Sequence, residues 1–132
     1  MRLLVGLLGS LGAVALAAPA QANELLYWQF EQDQRKLTFR TVHPVRPQAQ
    51  LVTSPSRIAI DLPGIQLGQP TVRETVPGVV REVRIGQFKP QTARLVIELK
   101  PGYTLDPQQI QIRGATPQHW SVTLPEPQRV GG

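Results

Sequence analysis

The sequence predicts an all-β sandwich of two similar antiparallel sheets, about four strands each, and three observations lead there. Thirteen prolines punctuate the 132 residues, and from Pro44 to Pro127 no stretch exceeds twelve residues without one, which leaves little room for a helix. Between the prolines, apolar and polar residues alternate at period two, as in a strand with one buried face. One segment recurs about 37 residues downstream, so the strands come as two related sets. Eight or nine short strands separated by frequent turn signals fit a sandwich or a barrel.

The N-terminus stands apart from this pattern. Met1 and Arg2 give a positive start, Leu3 to Ala18 is an apolar run broken only by Ser10, and Pro19 precedes Ala20-Gln21-Ala22. Positive start, apolar run and small-x-small site make a cleavable secretory signal over residues 1–22. The run has 16 residues, short of the ~20 that a spanning helix needs. Removing 22 of the 132 residues leaves 110, and the loss of Arg2 lowers the formal charge from +5 to +4. A basic chain of this size first points to nucleic acid. Export argues against that partner, and the expected location is the periplasm, with no membrane span after cleavage. The absence of Cys excludes a lipid-anchored lipoprotein and a disulfide scaffold.

In the mature chain, Leu26, Trp28 and Phe30 alternate on a first strand, with Leu37 and Phe39 facing them from a second across the turn at Gln32-Asp33-Gln34. Further strands are expected at residues 49–52, 57–62, 71–75, 79–88, 94–100, 109–113 and 120–124. The domain is expected to span residues 23–125, followed by a tail or linker start at 126–132. Trp28 and Trp120 alternate with apolar neighbours, so both read as core.

The duplication is the most informative feature. Arg57-Ile58-Ala59-Ile60-Asp61-Leu62-Pro63-Gly64 matches Arg94-Leu95-Val96-Ile97-Glu98-Leu99-Lys100-Pro101-Gly102, with one residue inserted before the second Pro-Gly. Two copies are too few for a solenoid. The simpler outcome is two sets of strands packed face to face, each burying its Ile/Leu face on the other. Each copy places an Arg and a carboxylate four residues apart on the polar face. At about 3.3 Å per residue they sit ~13 Å apart, so each is expected to meet a charge on a neighbouring strand instead.

These residues resemble an AMIN domain, the N-terminal module of many bacterial N-acetylmuramoyl-L-alanine amidases that also occurs in secretins. The motifs are Trp28-Gln29-Phe30, Pro47-Gln48-Ala49-Gln50-Leu51, the run from Pro55 to Gly64, Arg81-Glu82-Val83-Arg84-Ile85-Gly86-Gln87-Phe88, and Arg94 to Leu99. The resemblance implies a sandwich of two similar four-stranded sheets and a non-catalytic role, binding peptidoglycan and localising the host protein. Such amidases continue into a zinc-dependent catalytic domain, whereas this sequence stops at Gly132. Two alternatives accompany that function. One is a protein–protein adapter docking an envelope or division machine; the other is the N-terminal fragment of an amidase.

Catalytic chemistry finds no support in the residues themselves. A zinc hydrolase needs three ligands, and the mature chain has only His43 and His119, with no Cys. Ser54, Ser56 and Ser121 lie in no Gly-x-Ser-x-Gly elbow, and there is no phosphate-binding glycine loop. Asp61 and Glu98 could pair as glycosidase carboxylates, but an Arg on the same face holds each ionised, against the needs of an acid catalyst. No catalytic residue, metal or cofactor is therefore expected.

Binding is better served. Arg grips carboxylates through two parallel hydrogen bonds, and ten of the thirteen mature cations are Arg. Under the resemblance, the expected peptidoglycan contacts are Arg57 and Arg94 with Asp61 and Glu98 from the duplicated strands, and Arg81 and Arg84 from the central strand. Arg40 on the first hairpin is a further cation. Tyr27, on a polar face, and Tyr103, after a turn glycine, are the expected aromatic platforms for sugar.

Overall fold

The computed structural model describes residues 23–130, so the signal-peptide reading of residues 1–22 lies outside the described residues. Strands follow in chain order at Leu25–Glu31 (β1), Lys36–Thr41 (β2), Gln48–Val52 (β3), Arg57–Pro63 (β4), Val72–Thr75 (β5), Val80–Lys89 (β6), Thr92–Leu99 (β7), Tyr103–Thr104 (β8), Gln111–Thr116 (β9), His119–Thr123 (β10) and Gln128–Arg129 (β11). They form a four-stranded sheet, β1-β2-β10-β9, and a five-stranded sheet, β3-β4-β7-β6-β5, while β8 and β11 pair separately. All these pairings are antiparallel. The expected all-β sandwich is therefore present, with one sheet a strand larger than foreseen.

Alternation builds the core. Leu37, Phe39 and Val122 from the smaller sheet meet Ile58, Ile60, Leu62, Val83, Leu95, Ile97 and Leu99 from the larger in one fully buried cluster. Each such side chain stabilises the fold by about 1.5–3 kcal/mol relative to exposure. Trp28 and Trp120 pack against this cluster while partly exposed. Asn23 ties the start of the domain down: its amide nitrogen donates to the carbonyls of His43 (2.8 Å) and Pro44 (3.2 Å), and its side-chain oxygen accepts from the His43 N–H (2.7 Å).

The duplicated segments do not occupy opposite sheets, as the sequence pattern led us to expect. They are β4 and β7, antiparallel neighbours in the five-stranded sheet. The reason is phase. With Ile58 opposite Ile97 and Ile60 opposite Leu95, both apolar sets face the same side and bury together. The four-stranded sheet is instead assembled from the two ends of the domain. Both copies do end in the same turn: Ile65 N–H returns to Leu62 O and Tyr103 N–H to Lys100 O, with Gly64 and Gly102 each at φ +87°. Proline second and a left-handed glycine third is the type II pattern.

Two local expectations also shift. A register shift between Leu25 and Tyr27 takes Leu26 out of phase, so Leu25 packs against the core and Leu26 stands 58% exposed. The strand expected from Gln109 begins at Gln111, because Pro107–Gln109 form a 3-10 turn whose first free N–H, at Gln108, is capped by Asp106 Oδ1 at 3.0 Å. The short β8–β11 pair carries no period-two signal, and it extends the strand-forming chain past Pro127.

Candidate functional site

The residues opposite the core on the five-stranded sheet form one polar face. Register sets its rows: Arg57 of β4 lies opposite Glu98 of β7, and Asp61 opposite Arg94. On the other side of β7, Glu82 of β6 lies opposite Glu98, Arg84 opposite Val96, and Gly86 opposite Arg94. Arg73 of the edge strand β5 lies opposite Arg84. Six expected site residues, Arg57, Asp61, Arg81, Arg84, Arg94 and Glu98, thus come together. Every one except Arg81 alternates with a buried Ile, Leu or Val, which fixes its outward direction.

The charges on this face are unequally engaged. Arg94 grips Asp61 as a fork, Nε to Oδ1 at 2.6 Å and Nη2 to Oδ2 at 3.0 Å, with both side chains about a fifth exposed. The Asp61 hydrogen bonds outweigh the cost of burial and raise the Arg94 pKa above its ordinary value. The same guanidinium stacks on Phe88, 3.6 Å from the ring centroid. Arg84 Nη1 donates to Glu82 Oε2 at 2.9 Å and to Glu98 Oε1 at 3.0 Å. Burial lowers its pKa, but hydrogen bonds to Glu98 and Glu82 prevail and the net shift is upward. The expected cross-strand partnering of the duplicated Arg and acid is therefore realised at Asp61, Arg94 and Glu98.

Three guanidiniums remain accessible. Arg73 meets Glu82 at 3.0 Å and Arg81 meets Glu98 at 3.6 Å, each with its side chain more than 60% exposed. Arg57 donates only to the Pro55 carbonyl, at 2.8 Å, and forms no ion pair among the described residues. Five guanidiniums therefore share the face with three carboxylates.

Phe88 is the residue that sequence reasoning missed. It is half exposed beside Arg94 and helps wall a depression of about 190 Å³ floored by Gly86 and Val96. The available signal was period two along β6, where Glu82, Arg84, Gly86 and Phe88 alternate with buried Val83 and Ile85. Clefts of about 490 and 900 Å³ open elsewhere, between the sheet edges, but each has a single charged side chain on its wall, Glu24 in one and Arg46 in the other. The smaller depression has three guanidiniums and is the better match to polar chemistry.

The two tyrosines lie apart from these arginines. Tyr27 sits on the outer face of the four-stranded sheet, opposite Arg40, with its hydroxyl 3.5 Å from His119 Nε2. Tyr103 is half-buried in β8, where the Arg129 guanidinium lies 5.5 Å from its ring centroid. His43 lies in the loop after β2, and no group of three His, Cys, Asp or Glu side chains gathers at metal-binding distance among the described residues.

A family model described as the AMIN domain matches residues 24–124. No curated protein and no solved structure matches the chain.

Proposed function

Because the chain belongs to the AMIN domain family, a peptidoglycan-associated module of the cell envelope, we propose that it binds peptidoglycan through the outer face of the five-stranded sheet. It thereby localises itself, or the protein that carries it, in the periplasm after export by residues 1–22. The observation that carries this reading is the exposure of Arg73 and Arg81, beside a half-buried Arg57 that forms no ion pair among the described residues, on a face whose other charges are locked.

The two sets of charges divide the work. Asp61, Arg84, Arg94 and Glu98 form short, mostly covered pairs that hold the platform in one geometry. The pairs of Arg73 and Arg81 are exposed, and such pairs contribute only about 0–1 kcal/mol. A ligand carboxylate competes for them at little cost, and Arg57 needs no exchange at all. Peptidoglycan offers such carboxylates on its stem peptides. Turnover is not part of this reading, since the oxygens of Asp61 and Glu98 already accept hydrogen bonds from guanidiniums.

Co-sedimentation with purified sacculi tests the proposal. The protein should pellet at low salt, and Arg57→Ala with Arg81→Ala should weaken pelleting roughly tenfold, two surface contacts of about 0.5–1 kcal/mol each. No pelleting, or pelleting indifferent to both substitutions, would overturn it. A second reading, a protein adapter, rests on the edge strands β5 and β9, every residue of which is exposed. Slowed amide exchange along Gln111–Thr116 with a partner present, and no binding to sacculi, would favour it.

A further inference from the structure

The depression beside Phe88 has a chemistry more specific than the face around it. Outward positions along β6 run Glu82, Arg84, Gly86 and Phe88, so the row of side chains is interrupted at Gly86. The φ of Gly86 lies outside the left-handed region, and what the glycine supplies is room for Thr71, whose side chain packs over it: a Cβ there would stand 2.6 Å from Thr71 Oγ1. Beside Gly86 and Thr71 the face dips into an open depression of about 190 Å³. That is room enough for one small residue.

Three arginines line this space. Of the five N–H groups on a guanidinium, Arg94 commits one on Nε and one on Nη2 to Asp61. Arg84 commits its Nη1 to Glu82 and Glu98. Each therefore retains donors without a partner in the chain among the described residues, and both guanidiniums line the depression together with Arg73. Phe88, in contact with the Arg94 guanidinium, and Val96 supply apolar surface beside the charge. The ion pairs that occupy these arginines also fix where their remaining N–H groups point.

We propose that the Gly86 depression is a carboxylate-binding subsite. It takes a carboxylate attached to a small apolar group, the oxygens on the free N–H groups of Arg84 and Arg94 and the apolar group against Phe88 and Val96. Resting on the peptidoglycan reading, this assigns the subsite to a free carboxylate of that polymer, at a stem-peptide terminus ending in a small residue or at a muramyl lactyl group.

An NMR titration of the purified protein distinguishes the sources, following the Gly86 amide and the Nε resonances of Arg84 and Arg94. Acetyl-D-alanyl-D-alanine should shift all three, and its C-terminal amide should bind roughly tenfold more weakly, the worth of a hydrogen-bonded charge. Gly86→Ala should weaken the acid by a similar factor, because the added methyl group displaces the Thr71 side chain into the depression. N-acetylmuramic acid binding more tightly than the dipeptide, with the same sensitivity to Gly86→Ala, would keep the subsite and assign it to the glycan. If no carboxylate moves these resonances, or if acid and amide bind alike, the subsite is refuted; that comparison needs no variant. Sacculus pelleting measured in parallel separates the two proposals, since pelleting without carboxylate binding removes the subsite alone, and no pelleting removes the peptidoglycan reading.

Discussion

Arg57 and Arg94 occupy equivalent places in the duplicated segment, yet replacing each by Ala should have very different consequences. Arg94→Ala removes a two-point grip on Asp61 and the stack on Phe88, and leaves a carboxylate only 23% exposed without its partner. Breaking a buried pair costs about 3–5 kcal/mol and an exposed one about 0.2–1 kcal/mol. With a fifth of each side chain reached by water, the expected cost is about 2 kcal/mol. Arg57→Ala removes one exposed hydrogen bond to a carbonyl, so its cost should stay within about 0.5 kcal/mol. In urea, with a slope of about 2 kcal/mol per molar, Arg94→Ala should lower the midpoint by ~1 M and Arg57→Ala by no more than ~0.25 M. The double variant Asp61→Ala/Arg94→Ala should lose less than the sum of its parts. If Arg94→Ala moves the midpoint no further than Arg57→Ala, the division into locked and free arginines is wrong.

Other outcomes follow from the packing and the charges. Gly114→Ala would bring a Cβ within 3.0 Å of the Trp120 ring and 3.1 Å of the Thr116 carbonyl, costing about 1–3 kcal/mol; unchanged stability and unchanged tryptophan emission would contradict that contact. Leu37→Ala should cost about 2–5 kcal/mol in thermal or urea unfolding, whereas Leu26→Ser should stay within about 0.5 kcal/mol, and equal losses would argue against the β1 bulge. Arg94 has a raised pKa, so its stabilising contribution is fully present below the ordinary guanidinium range and is lost only as pH rises beyond it. The stability gap between wild type and Arg94→Ala should therefore stay constant from about pH 7 to 10, and a gap that closes in that range would count against the assignment.

The fold was largely legible because its signals are local. Period-two alternation in Arg57–Leu62 and Arg94–Leu99, and prolines between strands, are read without knowing what pairs with what. Sheet membership was not legible, because alternation specifies which face is buried and not which strand lies alongside. The same apolar phase that suggested two facing copies also permits them to lie side by side, and they do. The displaced Leu26 and the β8–β11 pair depend on one-residue register and two-residue contacts, below what patterning resolves. At the candidate site, outward Arg and carboxylate positions were visible from alternation. Which arginines are free was not, since that depends on Glu82 and Glu98 lying opposite each other and sharing Arg84. Phe88 showed in the sequence only as the end of the Arg81–Phe88 motif, and that its ring lies against the Arg94 guanidinium depends on how β6 and β7 pair.

The most direct test of the central claim compares two variants that remove equal charge from opposite faces, in sacculus pelleting at low salt. Arg57→Ala/Arg73→Ala/Arg81→Ala strips three cations from the five-stranded sheet, and Lys36→Ala/Arg40→Ala/Arg113→Ala strips three from the outer face of the four-stranded one. Binding through the five-stranded face predicts loss of pelleting in the first variant and near wild-type pelleting in the second. Equal loss in both would mean that net charge alone drives association, and loss only in the second would place the binding surface on the other side of the sandwich.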